Sequence, residues 1–165
     1  MLEKMKMIWQ DAKQLKDERG LTLVELLVVV VILGIIAAIA VVAIGGIIEN
    51  SKKDAMVADA KQMVSAAKLY TASNPVDKAT VLDYKATTNT AATTGDNPQA
   101  AVVGTKSYIS DMKDPFGGAD YTTATVKVTP SSGNYTYQVN LAGTEFKFVD
   151  KATDALKKDS LAEVN

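Results

Sequence analysis

An apolar run without a single charged or polar side chain extends from Leu26 to Ile48. As an α-helix rising about 1.5 Å per residue, this run reaches about 35 Å, whereas the hydrocarbon core of a bilayer is about 30 Å thick. The run is therefore long enough to cross a membrane, and we predict a spanning helix over residues 21–48. A hydrophilic leader, residues 1–20, precedes it.

The helical pattern continues beyond the apolar run, over residues 49–73. Asn74-Pro75 predicts its end, because proline lacks the backbone N–H donor and disfavours a helical conformation at the residue before it. Apolar residues recur there at spacings of three and four, which is typical of an amphipathic helix. They are Met56, Ala60, Met63, Ala67 and Tyr70. We expect this stripe to pack on a sheet of the same chain.

Residues 74–165 are predicted to form a globular head. Threonine and alanine dominate residues 76–107, so we expect a long surface connection there with at most a short helix or strand. β-Branched and aromatic residues then indicate three antiparallel strands. These strands cover residues 123–129, 135–141 and 144–150. The predicted fold class is α+β, with a long N-terminal helix packed on a small antiparallel sheet and a charged tail that is a short helix or frayed.

The composition excludes several classes of chemistry. The chain has no cysteine and no histidine, which removes disulfides, thiolate nucleophiles, thiolate or imidazole zinc sites and imidazole-dependent serine triads. A net charge of −1 without a basic cluster also argues against a nucleic-acid-binding surface. We therefore expect a protein that is not an enzyme and that has no resident cofactor.

Glu25 is the only charged residue within the predicted spanning segment, residues 21–48. An acidic residue inside a spanning helix costs about 2.5–3.5 kcal/mol, so a plain membrane anchor would be more stable without it. One interpretation, an uncleaved single-span anchor, leaves this carboxylate and the Gly20 junction without a purpose. Another is a secretory signal cut after Ala40, but an apolar run that continues through Ile48 is long for the apolar region of such a signal, which has about 7–15 residues. In each case the basic residues of the leader favour a cytoplasmic leader and an exported C-terminal part.

A third interpretation rests on the motif Arg19-Gly20-Leu21-Thr22-Leu23-Val24-Glu25 followed at once by the apolar run. It resembles the class III signal of type IV prepilins and pseudopilins. The resemblance implies cleavage between Gly20 and Leu21 by a prepilin peptidase and methylation of Leu21. It also implies that Glu25 pairs with the N-terminal amine of a neighbouring subunit during assembly. A carboxylate that is costly alone in lipid would then be compensated by an ammonium group.

The same resemblance implies partners and a location. We expect a filament of this subunit and other pilins, built by an inner-membrane assembly platform. Before assembly the protein would be a single-pass membrane protein with a cytoplasmic leader, and afterwards part of a cell-surface filament. Nucleic acid would be contacted only indirectly, if the filament served DNA uptake.

Two positions depart from the family's usual pattern. Leu21 stands where phenylalanine is commonest, and Val42 stands where many pilins have a helix-bending proline. Gly45 and Gly46 are then the predicted points of helix flexibility, because each glycine costs about 1 kcal/mol in helix propensity. Close packing of a neighbouring helix is an equally good interpretation of the two glycines.

The stretch DMKDPFGGADY, residues 111–121, resembles a loop before the sheet of type II secretion pseudopilins, near which calcium binds in that family. Asp111, Asp114 and Asp120 are accordingly weak calcium candidates, since calcium prefers oxygen ligands. The alternative is a simple turn, with Pro115 fixing φ and the glycines permitting positive φ.

These observations favour a structural subunit over an enzyme. The first candidate is a type IV pilin, and the alternative within the family is a pseudopilin of type II secretion or competence. A second alternative is an extracytoplasmic domain that uses the span merely as a tether and has an unknown binding function.

Overall fold

A computed structural model describes residues 2–17, 22–92 and 100–164 of the chain. The chain divides into two units, Met1–Ile47 and Ile48–Asn165. We call the second unit the head.

Two helices account for the N-terminal half of the chain. Helix α1 covers Leu2–Asp17, and helix α2 covers Leu23–Ser73. By length and composition, α2 is the one helix of the described residues that could cross a membrane. Helix α1 was not predicted, because the leader was considered only as a hydrophilic segment.

Helix α2 ends where the sequence indicates. The amide of Asn74 donates the last helical hydrogen bond to the carbonyl of Tyr70, at 2.8 Å. Pro75 has no N–H with which to continue the ladder. The prediction of one helix that continues from the apolar run through residue 73 is therefore confirmed.

The head contains a six-stranded sheet in the order β2-β1-β3-β4-β5-β6. All neighbouring strands are antiparallel except β1 and β2, which are parallel. The strands are β1 (Thr80–Asp83), β2 (Ala101–Gly104), β3 (Thr123–Ser131), β4 (Asn134–Ala142), β5 (Phe146–Ala152) and β6 (Ala162–Glu163). Short 3₁₀ turns cover Lys106–Tyr108, Thr153–Ala155 and Lys158–Ser160.

One hydrophobic core joins the sheet to the C-terminal part of α2. The helix contributes four fully buried residues of the predicted stripe, and Tyr70 packs at the edge of this core. The four are Met56, Ala60, Met63 and Ala67. The sheet contributes the inward residues of its central strands, such as Val126 and Leu141. The prediction of an α+β fold with the stripe packed on the chain's own sheet is confirmed.

The sheet is larger than predicted. The three long strands occur within two residues of their expected positions, but β1, β2 and β6 extend the sheet on both sides. The expectation of at most one short element in residues 76–107 was wrong, since both β1 and β2 lie there and the turn at Lys106–Tyr108 begins there. The tail is neither a plain helix nor frayed, because it forms β6 and buries Leu156.

Candidate functional site

The N-terminus of α2 is closed by a reciprocal pair of residues, Thr22 and Glu25. The backbone N–H of Glu25 donates to Oγ1 of Thr22 at 3.3 Å, and the backbone N–H of Thr22 donates to Oε2 of Glu25 at 2.7 Å. The Thr22 hydroxyl donates a third hydrogen bond to the same carboxylate oxygen, at 2.8 Å. This is a capping box, in which two backbone donors left free at a helix start are satisfied by side chains.

The capping box gives Glu25 a role within its own helix. The carboxylate lies in the first turn of α2, where the helix dipole favours negative charge. The sequence motif predicted a partner for Glu25 only on a neighbouring subunit, and its partner within the chain, Thr22, was not predicted. The spacing Thr-x-x-Glu before an apolar run was the available signal. Gly20 and Leu21, the predicted cleavage site, lie outside the described residues.

Gly45 and Gly46 both lie within α2, where helical structure continues through them. A methyl group built on either residue meets no atom within 4 Å, and the same holds at Gly34. Nothing in the part of the chain that the structure describes therefore requires the absence of a side chain at these positions. Flexibility at the two glycines stays a prediction, as does their contact with a neighbouring helix.

Asp114 is the best-buried carboxylate of the described residues, with only 1% of its surface exposed. Its Oδ1 accepts the N–H of Phe116 at 3.0 Å, and its Oδ2 accepts the N–H groups of Gly117 at 3.3 Å and Thr144 at 2.6 Å. Burial raises the pKa of this carboxyl, but the hydrogen bonds from Thr144, Phe116 and Gly117 outweigh burial and lower the pKa below its usual value. Asp114 thus holds its loop to the turn between β4 and β5.

Gly143 allows this close approach. A methyl group at Gly143 would lie 2.7 Å from Oδ1 of Asp114, which is closer than carbon and oxygen can pack. The turn can therefore accept the carboxylate only with glycine at this position.

The other two calcium candidates lie on the surface with basic partners. Nζ of Lys113 lies 2.5 Å from Oδ1 of Asp120, and this contact lowers the pKa of the carboxyl. Asp111 lies 3.9 Å from Lys106. Across the described ranges, no three acidic side chains form a group that could hold a metal ion. The calcium site stays a prediction that this geometry does not support.

Aromatic residues of the Asp114 loop and of β5 contact α2 near the point where the head begins. The rings of Phe116 and Phe146 lie 4.9 Å apart between centroids. Nζ of Lys52 lies 5.3 Å from the Phe116 ring and Nζ of Lys53 lies 4.4 Å from the Phe146 ring, both within the range of cation–π attraction. Lys53 also pairs with Glu49 at 2.7 Å. The DPFGG loop therefore contacts both α2 and β5 through Phe116 and links the helix to the sheet.

A second polar link joins α2 to the sheet side of the head. The Tyr121 hydroxyl donates to Oδ2 of the half-buried Asp59, at 2.7 Å. Burial raises the pKa of Asp59, and the hydrogen bond from Tyr121 offsets part of that rise. Nearby, the Tyr84 hydroxyl donates to the carbonyl of Met63 at 2.9 Å.

Comparison with known protein families gives one match. Residues 15–41 match the prokaryotic N-terminal methylation motif, which covers the leader's end, Glu25 and most of the apolar run. Comparison with curated proteins and with solved structures finds no match. The motif supports a type IV pilin or pseudopilin, and the long N-terminal helix with its α+β head is pilin-like.

Proposed function

We propose that the chain is a prepilin that is cut between Gly20 and Leu21, methylated at Leu21 and assembled into a type IV pilus or a pilus-like surface filament. The N-terminal methylation motif at residues 15–41 carries this proposal. It is supported by the position of Glu25 in the first turn of α2, five residues beyond Gly20. The precursor would sit in the membrane with its leader in the cytoplasm.

The capping box supports a two-step use of the Glu25 carboxylate. In the precursor, Thr22 compensates part of the unfavourable transfer of this charge toward lipid, through its amide and hydroxyl. Cleavage would create an α-amine at Leu21, which is largely cationic at neutral pH with an ordinary pKa near 8. In the filament, the amine of a neighbouring subunit would then become the stronger partner, because in a low-dielectric core an ammonium group attracts a carboxylate more strongly than a neutral donor does.

A pseudopilin of a secretion system is the second candidate. The DPFGG loop favours it, since this loop resembles the one in type II secretion pseudopilins and is anchored through Asp114. A competence pseudopilin uses the same N-terminal machinery. We rank the pilus first, on the twenty-residue leader and the cysteine-free, threonine-rich head.

The proposal gives the head a structural role and no enzymatic one. A cavity beside Tyr84 and Tyr121 has a volume of about 70 Å³, and one beside Val76 and Tyr135 has a volume of about 390 Å³. The lack of cysteine and histidine in the sequence, and not the size of these cavities, is what argues against an enzyme. A tethered enzyme or binding domain would also have no use for the Gly20 and Glu25 spacing.

Substitutions at Glu25 test the proposal, with filaments sheared from cells as the readout. Glu25→Ala removes both the charge and the cap, whereas Glu25→Gln removes the charge and keeps a residue that completes a capping box. We expect both variants to insert into the membrane and to lose at least tenfold in filament yield. Thr22→Ala, which weakens the cap and keeps the charge, is expected to lose far less.

The N-terminal mass of each variant, measured on the membrane fraction, is the control. A mature chain beginning at Leu21 with an added methyl group shows that processing proceeded and that the loss lies in assembly. Wild-type filament yield from Glu25→Gln would show that capping is the carboxylate's only role. An uncut N-terminus in the wild-type protein would contradict the prepilin function itself.

A further inference from the structure

Helix α1 presents an apolar face that no described part of the chain covers. Met5, Ile8 and Trp9 lie at positions i, i+3 and i+4 of the helix and therefore share one side of it. All three are exposed, Trp9 to 72% of its surface. The sequence repeats the spacing with Ala12 and Leu15.

The opposite side of α1 is polar. Glu3 and Gln10 are exposed there, and Met7 is the only apolar residue among them in the stretch from residue 3 to residue 10. Lys4 and Lys6 lie at the two borders between the faces, about 100° from the middle of the apolar side at 100° per residue. Their long side chains can extend past the apolar face toward an anionic surface.

The position of α1 in the chain indicates what covers the apolar face. Only residues 18–22 separate Asp17 from Leu23, the first residue of the helix that could cross a membrane. The six residue steps from Asp17 to Leu23 span at most about 22 Å, so the end of α1 cannot leave the neighbourhood of a bilayer in which α2 is inserted. A bilayer surface is therefore always present at high local concentration.

We propose that α1 of the precursor lies in the plane of the membrane surface, with Met5, Ile8 and Trp9 in the headgroup and acyl boundary and the lysines on anionic lipid headgroups. Basic amphipathic helices with a tryptophan on the apolar face bind membranes in this way. Tryptophan itself favours the membrane–water boundary. The helix would hold the leader at a fixed depth beside the predicted cleavage site until the leader is removed.

Trp9 is the only tryptophan in the chain, so the protein contains its own probe. The full-length precursor is reconstituted into vesicles of phosphatidylcholine mixed with phosphatidylglycerol, and flotation of the vesicles confirms insertion of α2. We expect Trp9 emission shifted to shorter wavelength than in water, a loss of acrylamide quenching, and quenching by lipids brominated near the headgroup. In vesicles of phosphatidylcholine alone, we expect a smaller shift.

Two variants with the same chemical change separate the faces. Ile8→Lys places a charge on the apolar face and should restore water-like emission and acrylamide quenching. Met7→Lys makes the same change on the polar face and should leave the Trp9 signal as in the wild type. Water-like emission of the wild-type protein in floated vesicles, or an equal effect of the two variants, would overturn the proposal. Because the experiment requires neither cleavage nor assembly, its result is independent of the filament function.

Discussion

At the scale of single residues, Asp114 shows how one buried charge is stabilised by hydrogen bonds from its own loop and from the turn at Thr144. Three N–H groups from two separate segments converge on its carboxylate. Hydrogen bonds to a charged acceptor contribute about 1.5–3 kcal/mol each, and they become unfavourable contacts when the acceptor is replaced by a donor. The loop and the β4–β5 turn therefore depend on this carboxylate being ionised.

We expect Asp114→Asn to destabilise the protein by about 2–3 kcal/mol, because the amide NH₂ group would face backbone donors. Urea unfolding of the detergent-solubilised protein, followed by circular dichroism, measures the free energy of unfolding. Asp111→Asn, a matched change at an exposed carboxylate, is expected to shift it by less than about 0.5 kcal/mol. Equal effects of the two changes would show that the hydrogen bonds to Asp114 contribute little.

The same carboxylate predicts a pH dependence. The pKa of Asp114 is lower in the folded protein than its ordinary value near 3.8, so the folded state binds this proton less readily than the unfolded state. The stabilisation is therefore complete above the ordinary pKa and is lost as the pH falls below it, through the folded pKa. The Asp114→Asn variant should show a shallower loss of stability in this acidic range than the wild type.

At the scale of elements, the hairpin between β3 and β4 contains an unfavourable residue. The two-residue loop is Ser132-Gly133, with φ of 46° and 85°. Both residues are in the left-handed region, as in a type I′ turn, where asparagine followed by glycine is strongly preferred. Serine adopts this region at a cost, since its Cβ crowds the following carbonyl.

We expect Ser132→Asn to stabilise the head by about 0.5 kcal/mol, because asparagine tolerates positive φ better. The same substitution at Ser131, which has no positive φ, is the control and should be neutral or slightly unfavourable. The measurement is the melting temperature of each of the two variants. A higher melting temperature for Ser131→Asn than for Ser132→Asn would contradict this account of the turn.

Elements with a long periodic pattern could be predicted from the sequence, and short ones could not. Helix α2 and strands β3 to β5 each repeat their period several times. Strands β1 and β2 have four residues each and β6 has two, so no period develops, and partners distant in the sequence decide their pairing. The same difference between local patterns and distant contacts holds for the residues of the candidate site. The spacing from Gly20 to Glu25 is local, whereas the hydrogen bond from Thr144 to Asp114 joins residues 30 positions apart.

At the scale of the whole molecule, the core belongs entirely to one of the two units. Every buried apolar residue of the described chain, from Met56 to Leu156, lies within Ile48–Asn165. The apolar side chains from Leu23 to Ile48 are exposed, apart from the half-buried Ala40, and none of them belongs to that core. Folding of the head and burial of the spanning helix are thus separate events with separate driving forces.

We expect a fragment of residues 48–165 to be soluble and folded, because it retains the complete core without the apolar run. Circular dichroism should show a cooperative unfolding transition, and gel filtration should show a monomer. A fragment starting at residue 61, which lacks Met56 and Ala60, is the control and should not fold. Aggregation of the longer fragment would show that the head requires the spanning segment.

Because Trp9 lies in α1, removal of the leader would change the tryptophan content of the subunit. The single tryptophan of the chain precedes the predicted cut, whereas all six tyrosines follow it. Removal of the leader would convert a protein with an indole chromophore into one with phenol chromophores only. The released leader keeps the indole, so the mature subunit, once separated from the leader, would differ from the precursor by the absence of tryptophan absorbance and emission.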